Sequence, residues 1–108
     1  MGKFDWLCAR IIFELKHDYP NIENYLIIPY LSFHIPPTPY FDDVLYPEGF
    51  EKYHFKAAIS MRNQYLVDHS SYALCYVLHS SGGAAKTYEY AQKQDITITN
   101  LAKQYPET

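Results

Sequence analysis

Tyr76-Val77-Leu78-His79-Ser80-Ser81-Gly82-Gly83-Ala84-Ala85-Lys86-Thr87-Tyr88-Glu89 is the stretch on which the fold turns. An apolar run that starts at Tyr72 gives way to small polar residues and two glycines. A helical pattern begins at Ala84. The reading is strand, tight loop, helix, with glycines where side chains would block the turn. In parallel α/β sheets ligands sit outside the carboxyl ends of strands. The helix that follows such a loop offers unpaired backbone N–H groups and a partial positive charge, both suited to phosphate. Ser80 and Ser81 can cap that helix or donate to an anion. The spacing is neither the G-x-G-x-x-G fingerprint nor a Walker loop. A Ser-Ser-Gly-Gly turn with a capped helix and no ligand fits the same residues.

Working outward, the spacing predicts a helix over 54–69, through Phe55, Ala58, Ile59 and Leu66, feeding the strand over 72–78. Downstream, a helix over 84–94 precedes a short strand over 96–99, and the tail from Leu101 adds a helical turn before Pro106. Upstream, Phe4, Leu7, Cys8, Ile11 and Leu15 recur at helical spacing, predicting a helix over 4–19 with that apolar face. Asp5 suits its first turn and Lys16 and His17 its last, and Pro20 closes it. Residues 24–30 are short, apolar and rich in strand formers, the pattern of a strand covered on both faces. From 31 to 52 four prolines break every periodicity. So long a loop is uncommon unless functional; its aromatics predict that it packs on the body, as a docked structural loop in the first place and as a lid or ligand-pocket wall in the second. Apolar strands separated by helices imply a parallel sheet. The fold class is α/β: one Rossmann-like domain spanning 1–108, with three predicted strands and flanking helices.

The 108 residues suit one small domain, able to bury roughly two-thirds of its unfolded surface. Nine Lys+Arg stand against 12 Asp+Glu, a net charge of −3 with no basic run, which argues against nucleic acid and anionic membrane as partners. The two cysteines lie apart in apolar stretches, so neither a disulfide framework nor a zinc pattern is present, and a reducing, cytoplasmic setting is expected. No run approaches the roughly 20 apolar residues of a membrane helix. Five scattered histidines give no metal-ligand spacing, so no metal and no cofactor are expected.

Two side chains complete the candidate site. Arg62 lies on the helix that feeds the strand ending at the glycines, and a guanidinium grips phosphate or carboxylate bidentately. The plainer reading, and the one the sequence favours, is a surface residue paired with Asp68 or another acid. Glu89, on the helix after the glycines, can serve as general acid/base toward a bound sugar, or simply be solvated.

Ala58-Ile59-Ser60-Met61-Arg62-Asn63-Gln64-Tyr65-Leu66-Val67-Asp68, the strand from Tyr72, Gly82-Gly83-Ala84, Thr87-Tyr88-Glu89-Tyr90-Ala91 and Asn100-Leu101 together resemble the SLOG (Smf/DprA–Lonely Guy) superfamily, in particular its YpsA-like bacterial branch. Gly2-x-Phe4-Asp5, Tyr19-Pro20 and Pro29-Tyr30-Leu31 resemble that family's upstream half, so the likeness covers almost the whole chain. It implies binding of a nucleotide or nucleotide-derived molecule at the glycine loop. Asn63, Ser80, Ser81, Gly82, Gly83, Thr87 and Asp5 would be binding residues. By the same resemblance, Arg62 and Glu89 match the phosphate-holding arginine and the glutamate of Lonely Guy phosphoribohydrolases, which cleave an N-glycosidic bond in nucleoside monophosphates. Ala85-Lys86 stand where those enzymes carry Gly-Thr, a departure that bears on hydrolysis more than on binding. A third reading is a non-catalytic oligomerisation module. The sequence begins just after the family's opening strand, F-F-G-H-type loop, helix and strand. The first phosphate loop and a central strand are therefore expected to be missing: the chain is either a truncated family member or fragment, or one whose copies associate over the exposed sheet edge, and oligomerisation or compromised stability is expected.

Overall fold

The computed structural model of the chain describes residues 2–104. Its contacts fall into two compact units, Met1–Lys52 and Tyr53–Thr108, and each is described by itself. Both are mixed α/β, each built around one pair of short parallel strands.

In the first unit, α1 (Lys3–Leu15) is followed by β1 (Tyr25–Ile27) and β2 (Asp43–Leu45), paired in parallel with Leu26 opposite Val44. The helix stops at Leu15, four residues before the expected end, and continues as turns in which the Tyr19 amide donates to the Leu15 carbonyl at 2.9 Å. Its docking face also differs from expectation. Ala9 is buried, and Trp6 and Phe13 set their rings against Tyr40 at centroid distances of 6.4 and 5.5 Å. Residues 6, 9 and 13 share one helix face. Leu7, Ile11 and Leu15, expected in the core, form an exposed stripe instead. Large rings flanking a small residue allow close approach over a wide apolar area, and this set outcompetes the aliphatic stripe.

The segment 31–52 corrects the sequence reading, because it is not structureless. It holds β2 and a 3-10 turn over Phe50–Lys52. It does dock, with Pro47 and Phe50 buried and Tyr40 and Phe41 against Trp6. Buried Asn24 fastens these pieces. Its side-chain amide donates to the carbonyls of Tyr40 (3.0 Å) and Ala9 (3.4 Å), and its backbone N–H donates to the Asp42 carboxylate (2.7 Å), which also receives the Lys16 ammonium.

In the second unit the order is α2 (Phe55–Asp68), β3 (Tyr72–Cys75), α3 (Gly83–Gln92), β4 (Thr97–Asn100) and α4 (Leu101–Gln104). The α2 N-terminus is capped by His54, whose ring Nδ1 accepts from the Lys56 amide at 3.4 Å. Ala58 and Val67 are its buried residues, while Phe55, Ile59 and Leu66 stay largely exposed, against the expected face. β3 and β4 pair in parallel, Tyr72 opposite Thr97 through Cys75 opposite Asn100. β3 is shorter than expected and is not covered on both faces, since Tyr72 and Leu74 are 76% and 56% exposed. Its alternate residues, Ala73 and Cys75, are half-buried, as the two-residue period of a strand requires. Among the described residues there are four strands, where three were expected. Pro106, expected to end the last turn, lies outside the described residues. Among the described residues no helix is long and apolar enough to cross a membrane.

Candidate functional site

β3 leads into the glycine loop through an unusual clamp. The Asn100 side chain accepts the Val77 N–H (Oδ1, 3.0 Å) and donates to the Val77 carbonyl (Nδ2, 3.0 Å). It thus continues the β3–β4 ladder past the last paired residues, acting as a peptide group would. The same Oδ1 accepts the Ala102 amide at 3.1 Å, starting α4. Three bonds from one buried side chain fix where β3 ends and the loop departs. The sequence reading placed Asn100 only at a strand end and in a family motif. The available signal was an amide-bearing residue closing a β-branched strand.

Beyond the clamp, Leu78, His79, Ser80 and Ser81 are exposed. Gly82 is the N-cap of α3, at φ 100° and ψ 179°, a backbone region essentially reserved for glycine. Its carbonyl accepts the first helical bond, from the Lys86 amide at 3.1 Å. This corrects the serine-cap expectation. The capping position falls on a glycine, and the first turn of α3 has no side-chain cap. The two glycines also differ in kind. A Cβ at either would meet open space, and only Gly82 carries a positive φ. Gly82→Ala is therefore expected to cost about 1–2 kcal/mol, while Gly83→Ala, at a helical position, is expected to be neutral or to stabilise by about 0.4–1 kcal/mol. Thermal unfolding of the two variants checks the contrast.

Thr87 is chemically constrained, because its hydroxyl donates to the Gly83 carbonyl at 2.9 Å. The proton is spent on the helix, and the oxygen is left as an acceptor, suited to a sugar hydroxyl rather than to phosphate. Half-buried Arg62 gives its Nε–H to Asn63 Oδ1 at 3.0 Å, so the two candidate residues orient each other. Asp68, weighed as the arginine's partner, accepts the Tyr90 phenol at 2.6 Å. That bond, with the packing of α2 on α3, sets the carboxyl ends of the two helices side by side. Arg62 lies six residues before Asp68, and Ala84 six before Tyr90. At 1.5 Å of rise per residue, each lies about 9 Å along its own helix from that bond.

The second unit places Arg62 and Asn63 midway along α2, Ser80 and Ser81 in the exposed loop before α3, Gly82 and Gly83 at the start of α3, and Thr87 in its second turn. Glu89 is exposed, further along α3 on the side that carries Lys86. Asp5 is exposed in the first turn of α1, in the other unit. Neither thiol is an activated nucleophile. Burial pushes Cys8 upward, with help from the Asp5 carboxylate. Burial also pushes Cys75 upward, against a small opposing effect of Lys103. Among the described residues no three His, Cys, Asp or Glu side chains gather as a metal ion would require.

No family model, no curated protein and no solved structure matches the chain.

Proposed function

We propose that the second unit binds a nucleotide or nucleotide-derived molecule, as a Rossmann-like domain of SLOG type. The observation that carries the reading is the uncapped first turn of α3, opened by Gly82 on the loop that follows a strand of a parallel pair, with Arg62 on the helix packed against α3. Phosphate would sit on the α3 amides with Arg62 as counter-cation, and Asn63 would hold the guanidinium. Thr87 would accept from a ribose hydroxyl. A helix terminus supplies typically ~0.3–1 kcal/mol to an exposed anion, whereas micromolar affinity needs about 8 kcal/mol. The arginine and the sugar and base contacts must supply the rest. A charge-assisted bond of ~1.5–3 kcal/mol to Arg62 makes that side chain the largest single contributor.

Calorimetric titration with AMP, ADP-ribose and NAD tests the reading. Binding by at least one is expected, weakened about 10–100-fold by Arg62→Ala. A flat titration across the panel overturns it. Free base released from AMP, and lost in Glu89→Gln, would instead make the chain an N-glycosidic hydrolase. A cytoplasmic setting belongs to the same reading. Both cysteines are free, and their raised pKa values keep them protonated at neutral pH.

A further inference from the structure

The orientation of the β3 backbone is fixed from both ends. The Thr97 amide donates to the Ser71 carbonyl at 3.1 Å, and Asn100 takes both backbone groups of Val77. Backbone groups on a strand alternate sides, so residues 71, 73, 75 and 77 face β4. The N–H and C=O groups of Tyr72 and Leu74 point the opposite way. Among the described residues β4 is the only strand paired with β3, so this second edge has no strand partner there. Two of the devices that protect natural edges are missing from it: Tyr72-Ala73-Leu74-Cys75 contains no charge and no proline. The two residues whose backbone groups face outward also hold the most exposed side chains of the strand. Parallel pairs left bare on one face are rare, because both faces of such sheets are normally covered.

We propose that a second copy of the chain covers this edge, two β3 strands pairing antiparallel about a two-fold axis beside Ala73. In that register Tyr72 lies opposite Leu74 of the copy, Leu74 opposite its Tyr72, and the two Ala73 residues face each other. Tyr72–Leu74 and Leu74–Tyr72 are the hydrogen-bonded pairs, so both outward groups of both residues find partners without shifting either strand. Opposed residues share a face, which sets each exposed tyrosine ring on an exposed leucine. A second copy is the occupant that fits, because one short segment supplies both halves of the contact, as an isologous interface requires. No like charges oppose each other across it. The result is a four-stranded sheet, β4-β3-β3-β4, with the two glycine loops on opposite sides of the axis. The proposal gives a location to the association expected of the proposed domain but rests on strand geometry alone.

Sedimentation velocity on the whole chain, from ~1 µM to ~1 mM, is expected to show mass action toward twice the 12.7 kDa chain mass. Leu74→Lys sets an ammonium against each opposing tyrosine and a second ammonium near it, and should stay monomeric throughout with an unchanged far-ultraviolet spectrum. Should that variant fail to fold, Tyr72→Lys asks the same question. With Cys8→Ser and Cys75→Ser as background, Ala73→Cys should oxidise to a disulfide dimer. Facing residues of a non-hydrogen-bonded pair lie about 4.5 Å apart, within disulfide reach. Thr97→Cys, on β4, should not cross-link. A wild-type chain monomeric at every concentration, a dimer that survives both lysine variants, or an Ala73→Cys chain that does not cross-link each overturns the proposal. Nucleotide titration leaves it untouched, so the two readings fail separately.

Discussion

Asn100→Ala is expected to destabilise the second unit by about 2–4 kcal/mol, a large share of what a domain of this size holds. Asn100 is 6% exposed and makes three bonds, two to the peptide groups of Val77 and one to the Ala102 amide. Alanine removes all three and leaves the Val77 N–H and C=O without the partner that ends β3. Desolvation of orphaned groups, rather than the modest net worth of each bond, sets the size of the loss. Hydrogen exchange at Val77 and Ala102 should accelerate first, together with the β3–β4 ladder. Asn100→Asp separates donor from acceptor. A carboxylate still accepts from Val77 and Ala102 but turns an oxygen toward the Val77 carbonyl. Its instability should therefore ease in acid, where a protonated carboxyl can donate again. If the alanine variant exchanges at Val77 no faster than wild type, the clamp is not what holds the loop. The variant also bears on the proposed site, because the Gly82 turn departs from the residue that Asn100 fixes.

Periodicity made α2, α3, β4 and the glycine loop legible, because each has local signals: Pro- or Gly-bounded runs and helical or alternating spacing. β2 was not legible. Asp43-Val44-Leu45 is three residues between Pro39 and Pro47, and only its pairing with β1 makes it a strand. The docking face of α1 was misread for a related reason. Leu7, Ile11 and Leu15, with Phe4 and Cys8, make a longer apolar series than Trp6, Ala9 and Phe13, but Tyr40, 27 residues beyond Phe13, selects the aromatic side. At the candidate site the residue types were visible and the division of labour was not. Gly82 as cap, Thr87 turned into an acceptor and Arg62 held by Asn63 all depend on hydrogen bonds that no spacing specifies. Asn24 offers no pattern as a joint, and the one signal for Asn100, an amide closing a β-branched strand, does not specify which groups it binds.

Trp6, the single tryptophan of the chain, should report a loosening of the first unit in acid. Asp42 is held below the ordinary carboxyl range by the Lys16 ammonium first and by the Asn24 backbone amide second. A depressed carboxyl contributes stability that is fully present above its unfolded pKa of about 3.9 and is lost as pH falls through the folded value. Trp6 fluorescence is thus expected to be flat near neutrality and to report loosening below pH ~4. Asp42→Asn should weaken the unit at neutral pH and flatten that acid response. Asn24→Ala acts differently, because its side-chain amide does not titrate. Loss of the donor shared by the Tyr40 and Ala9 carbonyls should cost about 2–3 kcal/mol at every pH. It should also free the Tyr40 ring from Trp6 and Phe13. An Asn24→Ala chain with wild-type Trp6 emission and melting would mean that the aromatic cluster, not the asparagine, fastens α1 to the strand pair.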